Sequence, residues 1–136
     1  MANKLHPEYI IQKQVCAYLR TQYRGLLFMS DTIAAVKLTI PQQIRNKAIQ
    51  KPDFNCPDLL IFEPNSCLSG NYCGLFIELK AKSIYKKDGK TLLKNEHVEA
   101  QLYTIQQLRS KGYYAEFCCG FDEAKTLIDN YLKGEV

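Results

Sequence analysis

Three charged residues stand on two strand-like runs, at positions where they could act together on a metal ion. Asp58 opens one run rich in Leu, Ile and Phe, and Glu78 and Lys80 stand near the end of another, residues 74–80. Side chains two positions apart on a strand face the same side, so Glu78 and Lys80 are predicted to project together. Two converging carboxylates repel unless a cation lies between them. This spacing favours a divalent metal held by Asp58 and Glu78, with Lys80 beside it.

A plainer interpretation of the same residues stays open, namely a surface Asp at a strand start and an exposed Glu/Lys pair. Turn-forming residues at 63–66 and 69–71 separate the two runs. Such residues allow the runs to pair as an antiparallel hairpin. That pairing would bring Asp58 close to Glu78.

Length and composition indicate one soluble domain spanning residues 1–136, with 46% hydrophobic and 24% charged residues. No apolar run approaches the roughly 20 residues of a membrane span, and the first residues lack the apolar core of a signal peptide. We therefore expect no membrane partner and a cytoplasmic location, in a bacterial or virus-infected host cell. The net charge of +4 permits a nucleic-acid partner without requiring one.

The 6 cysteines should be free thiols if the protein stays in a reducing compartment. They contain no C-x-x-C pair. A zinc site built from Cys56, Cys67 and Cys73 with His97 is a further alternative.

Apolar periodicity and capping residues predict four helices and four strands. The order is helix 7–23, strand 26–29, a short helix capped by Thr39, strands 58–62 and 74–80, helix 96–111 capped by Asn95, strand 113–119, and a last helix capped by Asp122 and ended by Gly134. The late strand-helix-strand crossover requires some parallel pairing. The predicted fold is α/β, with a mixed central sheet flanked by helices.

Two polar residues on the predicted helices admit two interpretations each. Glu8 complements the dipole of the first helix, or it lends a third carboxylate to the metal site. Gln101 lies at the edge of an apolar stripe, where a polar side chain must either hydrogen-bond inside the fold or reach a site.

Lysine and arginine residues collect in two segments on either side of the candidate metal residues. The first segment contributes Lys37, Arg45 and Lys47, and the second contributes Lys82, Lys86, Lys87 and Lys90. Each segment is either a solvated surface or a contact for DNA phosphates. Their closeness in sequence to the candidate carboxylates favours the phosphate contact.

The motif Pro57-Asp58 followed by Glu78-Leu79-Lys80 resembles that of the PD-(D/E)XK nuclease superfamily. With Glu8 on the first helix and Gln101 on a later one, the chain is similar to the VRR-NUC branch, in its small stand-alone form found in viruses and phages. The resemblance runs roughly from residue 8 to residue 132. Cys56 departs from it, since the family usually has glycine before the PD pair. Residues 30–51 are not part of its common core.

The resemblance implies a restriction-endonuclease-like core and a DNA endonuclease that depends on Mg²⁺ or Mn²⁺. The ligands would be Asp58, Glu78 and the carbonyl of Leu79, with Glu8 helping to position the metal. Lys80 would orient the attacking water or steady charge on the phosphate, supported by Gln101. Small stand-alone members resemble homodimeric Holliday-junction resolvases, which implies branched DNA as the substrate. Two alternatives remain: a nicking or flap-type nuclease acting as a monomer, and a non-catalytic nucleic-acid-binding module that keeps the fold.

The segment 30–51 is the best candidate for a subunit contact. It is long for a connection inside a compact domain, and it combines basic residues with Ile33, Val36, Leu38 and Ile40. An apolar strip of this kind would pair two subunits. The competing interpretation is that these residues cover the sheet of their own monomer.

Overall fold

The computed structural model describes residues 6–30 and 37–136, which form a four-stranded mixed sheet with helices on both faces. The helices are α1 (Pro7–Gln22), α2 (Ile40–Ile49), α3 (Glu96–Ser110) and α4 (Gly120–Lys133). The strands are β1 (Phe28–Ser30), β2 (Leu59–Ile61), β3 (Asn65–Cys67), β4 (Gly70–Tyr72), β5 (Leu75–Lys80) and β6 (Tyr114–Cys119). Within the described ranges, no helix has the length and apolar character needed to cross a membrane.

The main sheet has the strand order β1-β2-β5-β6. β2 pairs antiparallel with both β1 and β5, whereas β5 and β6 run parallel because α3 carries the chain back across the sheet. The predicted mixed α/β sheet is confirmed. The predicted pairing of the two motif-bearing strands is confirmed as well.

The alternation of side chains along β5 separates an apolar face of the sheet from a polar one. Leu75, Ile77 and Leu79 are buried with residues of α1 and α4. The opposite face of β5 carries Glu78 and Lys80, and α3 packs over the β5–β6 side of that face through a second apolar cluster. Glu78 and Lys80 therefore lie on the face that α3 covers.

Side-chain capping fixes the starts of two helices as predicted. Thr39 forms a capping box with Gln42 at the start of α2, and the side chain of Asn95 accepts the backbone N–H groups of His97 and Val98 at the start of α3. The prediction that Asp122 caps the last helix is wrong. Gly120, with a φ of +82°, lets the chain pass directly from β6 into α4, so Asp122 lies in the first turn.

The short hairpin β3–β4 was not predicted, because its residues are typical turn formers. Tertiary contacts hold it in place: Asn65 Nδ2 donates to the carbonyl of Tyr131 on α4, and the Tyr131 hydroxyl donates to the carbonyl of Glu63 at 2.6 Å. The first strand also begins two residues later than predicted, at Phe28.

Helix α2 buries none of its residues against the described part of the chain. Ile40, Ile44 and Ile49 are 72%, 64% and 80% exposed, and Leu38 is half-buried. The predicted strip residues Ile33 and Val36 lie outside the described residues. For Ile40, the interpretation that it covers the sheet of its own monomer is not supported.

Candidate active site

The pairing of β2 with β5 brings Asp58 and Glu78 together. Leu59 is the partner of Ile77, and extending that register by one residue places Asp58 beside Glu78. Asp58 Oδ2 accepts the backbone N–H of Leu79 at 2.8 Å. This contact fixes the Asp58 carboxylate against the end of β5.

Glu78 is almost completely buried, with 4% of its surface exposed. Its Oε1 accepts a hydrogen bond from Gln101 Nε2 at 2.9 Å. Burial raises the pKa of Glu78 to about 9, helped by a hydrogen bond with Asp58 and by the negative charges of Asp58 and Glu8, against which Lys80 acts. At neutral pH Glu78 therefore keeps its proton in the absence of a cation.

A divalent cation held between the two carboxyl groups would take the place of the Glu78 proton. Both groups offer oxygen, the donor that Mg²⁺ and Mn²⁺ prefer, and the adjacent carbonyl of Leu79 is a further oxygen donor. Glu8 influences the pKa of Glu78 through its charge. However, no three His, Cys, Asp or Glu side chains in residues 6–30 and 37–136 are gathered into a group that could hold a metal. The structure thus brings Asp58 and Glu78 together without adding Glu8 to their group. The residues of the zinc alternative also form no such group within the described ranges.

Gln101 connects α3 to this carboxyl pair. While its Nε2 donates to Glu78, its Oε1 is buried and accepts no hydrogen bond from the described residues. A buried acceptor left without a donor is costly, and such atoms are common at sites that receive water or a ligand. Of the two predicted interpretations, the structure shows the hydrogen bond inside the fold, and its acceptor is the candidate site residue Glu78.

Lys80 stands on the same face of β5 as Glu78 and is 8% exposed. It lines a cleft of about 400 Å³, here called the Lys80 cleft. Glu8, from the first turn of α1, lines the same cleft. Lys80 and Glu8 are therefore brought to one concave surface, and Lys80 connects it to Glu78, two residues earlier on the same face of β5.

Two polar contacts that support the Asp58 strand were not predicted. Gln12 Nε2 donates to Ser30 Oγ, and Ser30 Oγ donates to the carbonyl of Asp58 at 3.3 Å. Gln12 lies one helical turn after Glu8, so its position on the same face of α1 was a usable signal.

On the other side of the carboxyl pair, the buried Thr104 accepts the backbone N–H of Asn55 at 3.3 Å. Thr104 follows Gln101 by three residues, so it lies on the same face of α3. The same helix thus contacts Glu78 directly and the loop that leads to Asp58.

Both predicted groups of basic residues are exposed. They are Lys37, Arg45 and Lys47 around α2, and Lys82, Lys86, Lys87 and Lys90 after β5. The second group lies in a loop that folds back on itself, with a bridge between Tyr85 and Leu92. Asp88 forms the turn by accepting the N–H groups of Lys90 and Thr91.

Comparison with known proteins supports the fold. The chain is similar to a solved structure described as a VRR_NUC domain protein, with a TM-score of 0.63 and 23% identity, over 97% of this chain and 93% of that one. No model of a known protein family matches the chain, and no curated protein sequence matches it. At this level of identity the likeness establishes a shared α/β fold.

Proposed function

We propose that this protein is a metal-dependent endodeoxyribonuclease of the VRR-NUC type, which hydrolyses phosphodiester bonds in branched DNA. The observation that carries the proposal is the buried Glu78 carboxyl group, which lies beside Asp58 on the paired strand and shares its face of β5 with the buried Lys80. A fold kept only for stability gains nothing from this arrangement, because burying an acid against another acid is costly. The likeness to a VRR_NUC domain protein supports the same reaction class.

Each residue in the proposal has a separate role. Asp58, Glu78 and the carbonyl of Leu79 would hold Mg²⁺ or Mn²⁺, with Glu8 adding negative charge from α1. The ion would supply Lewis-acid chemistry, neutralising the scissile phosphate and making water a better nucleophile. Lys80 stabilises negative charge that develops on the phosphate. Gln101 holds Glu78 in place and offers its free oxygen to a water molecule.

The exposed basic residues would bind the DNA backbone on either side of this site. Lysines of the loop after β5 begin with Lys82, two residues beyond Lys80, so they can contact phosphates near the cut. Lys37, Arg45 and Lys47 would contact a second stretch of DNA near α2. Binding that depends on several such contacts should weaken steeply as salt rises.

We further propose that the protein acts as a homodimer. Leu27, Met29 and Phe62 are 71%, 54% and 49% exposed on the β1–β2 side of the sheet, away from the part that α3 covers. In the proposed dimer, these residues and the exposed isoleucines of α2 form the interface, since large exposed apolar patches commonly mark interfaces. Two sites related by a two-fold axis would cut both strands of a junction.

A cleavage panel tests the activity. Linear, flap and four-way DNA are incubated with the protein in Mg²⁺, in Mn²⁺ and in EDTA. We expect cleavage in either metal, none in EDTA, and the fastest cutting on branched substrates. Metal-independent cleavage would contradict the assigned site, and no cleavage of any substrate would leave a DNA-binding module without the chemistry.

Light scattering tests the dimer. The wild-type protein should elute with twice the monomer mass, and the substitutions Met29→Lys and Ile44→Lys together should convert it to a monomer. Leu68→Lys is the matched control, because Leu68 is 84% exposed in the distant β3–β4 hairpin. A wild-type monomer that stays monomeric on four-way DNA would replace the resolvase proposal with a nicking or flap-type nuclease.

A further inference from the structure

The Lys80 cleft is bounded by elements that meet at the end of β5. α1 contributes its first turn and β5 contributes Lys80, followed by residues of the loop after β5. The start of α3 contributes its capping residue Asn95 together with His97 and Val98. The cleft measures about 400 Å³, which is within the range of about 300–1,000 Å³ typical of sites for small organic molecules. It is therefore large enough for a single nucleotide and far too small for a DNA duplex.

The walls of the cleft combine three kinds of group that bind nucleotides, namely apolar surface, positive charge and planar rings. Pro7, Ile84, Leu93 and Val98 supply apolar surface, while Lys80 and Lys82 supply positive charge. His6 and His97 also line the cleft, and they are the 2 histidines of the chain. An imidazole ring can stack on a nucleobase.

The charges in the cleft give a bound nucleotide one orientation. Glu8 repels a phosphate from the α1 side, and Lys80 and Lys82 attract it to the β5 side. The base is then left against the apolar residues and His97. Because Lys80 lines the cleft and also stands beside Glu78 on β5, a phosphate at Lys80 lies at the border between the cleft and the carboxyl pair.

From this arrangement we propose that the Lys80 cleft binds one unpaired nucleotide of the substrate, adjacent to the scissile phosphate. This inference rests on the proposed nuclease function and narrows its substrate class to DNA whose bases are unpaired, or easily unpaired, at the cut. A base held in a stack cannot enter a cleft of this size. Extruding it costs a few kcal/mol, and the cost is least for mismatched or single-stranded positions.

A tryptophan placed at the rim of the cleft reports directly on entry of a base. The chain contains 0 tryptophans, so Leu93→Trp introduces a unique fluorophore at a residue that is 46% exposed. In EDTA, a short single-stranded oligonucleotide should quench its emission by roughly a third or more through stacking, and a fully paired duplex of the same length should not. Leu68→Trp is the matched control, and neither DNA should quench it.

A second variant tests the cleft without adding bulk. His97→Ala removes an exposed ring and should weaken binding of single-stranded DNA by about fivefold to tenfold, the loss expected for one stacked base. Gln106→Ala, an exposed position further along α3, should leave the affinity unchanged. Equal quenching by paired and unpaired DNA, or an unchanged affinity in His97→Ala, would overturn the proposal.

Cleavage by the wild-type protein separates failure of this inference from failure of the proposed function. With Mg²⁺, a duplex with a single mismatch at the cut should be cleaved about tenfold or more faster than the paired duplex, since the mismatch lowers the cost of extrusion. Efficient cleavage with no such preference would refute the cleft inference and leave the nuclease standing. Quenching of Leu93→Trp without cleavage of any DNA would keep the nucleotide site and refute the nuclease.

Discussion

Two carboxylates lie in opposite surroundings in this molecule. Asp129 on α4 accepts hydrogen bonds from the hydroxyls of Tyr18 and Tyr23 at 2.5 and 2.7 Å, and forms an ion pair with Lys125 at 2.8 Å. Burial alone would raise the pKa of Asp129, but these three donors together lower it. Glu78, by contrast, has another carboxyl group as its neighbour, and its pKa is raised to about 9.

The difference indicates that the Asp129 carboxylate stabilises the folded state, whereas burial of the Glu78 carboxyl group destabilises it. Asp129 has donors on both oxygens, which is what buried polar groups have when packing and stability determine their surroundings. Glu78 accepts one hydrogen bond from the neutral amide of Gln101. The positive charge of Lys80 lowers the pKa of Glu78 by less than burial and Asp58 raise it. Perturbed acids of this kind are characteristic of functional sites.

The largest contrast should appear in catalysis. Asp58→Asn and Glu78→Gln each remove a negative oxygen from the proposed metal site, so cleavage should fall by about 1,000-fold or more. Asp129→Asn should cleave at the wild-type rate, because Asp129 lies in the α1–α4 contact. Single-turnover cleavage of four-way DNA in Mg²⁺ measures all three. Wild-type activity in either site variant would show that the reaction occurs elsewhere.

A smaller contrast is expected between two lysines that each neighbour one of these carboxylates. Lys80→Met should slow cleavage by about 100-fold, the usual loss when one stabilising group for transition-state charge is removed. Mn²⁺ affinity, measured by calorimetry, should stay within about twofold, since Lys80 is not a ligand. Lys125→Met should change neither quantity. A parallel loss of Mn²⁺ affinity and rate in Lys80→Met would show that Lys80 organises the metal ligands instead.

The strand pair was predictable because the signals are local. The alternation along β5 places Leu75, Ile77 and Leu79 on one face of the strand. It places Glu78 and Lys80 on the opposite face. Thr39 and Asn95 are capping residues whose role depends on the next few positions. The hairpin β3–β4 could not be predicted in the same way, because contacts with Tyr131, more than 60 residues away, make strands out of turn formers.

The supporting residues and the Lys80 cleft needed the three-dimensional structure. Thr104 contacts Asn55 across 49 positions, and Gln12 contacts Ser30 across 18. His97 and Glu8 belong to different helices, and the sheet between those helices brings them to the same cleft. Sequence periodicity places such residues on one face of their own helix, but it does not show which other element that face packs against.

The two carboxylates should also differ in the sign of their effect on stability. In EDTA at neutral pH, Glu78→Gln should raise the free energy of unfolding by about 1–3 kcal/mol, because it removes the cost of keeping a buried acid protonated. The side-chain amide introduced by Glu78→Gln can still accept a hydrogen bond from Gln101 and donate one to Asp58. Asp129→Asn should lower the same quantity by about 1 kcal/mol, since charge-assisted hydrogen bonds become neutral ones. Urea unfolding measures both, and a shared sign would remove the distinction between the two sites.

The last contrast is in the pH dependence of stability without metal. The pKa of Glu78 is raised to about 9 in the folded state. Between about pH 5 and about pH 9 the folded state therefore keeps a proton that the unfolded state has already released, and stability falls across this window by up to about 1.4 kcal/mol per pH unit. Asp129 acts at the acid end, because its pKa is lowered. Its stabilisation is present above the ordinary pKa of an aspartate and is lost as the pH falls through the folded value.

Urea unfolding in EDTA across this range separates the two effects. In Glu78→Gln, the fall in stability between about pH 5 and about pH 9 should disappear, and the loss of stability at acid pH should remain. In Asp129→Asn, the loss at acid pH should disappear and the fall at higher pH should remain. Saturating Mn²⁺ should also remove the Glu78 slope between about pH 5 and about pH 9 from the wild-type protein, because the cation takes the place of the Glu78 proton. If the slope survived in Glu78→Gln, another group would carry the proton, and the pairing of Asp58 with Glu78 would not be the feature that distinguishes this site from Asp129.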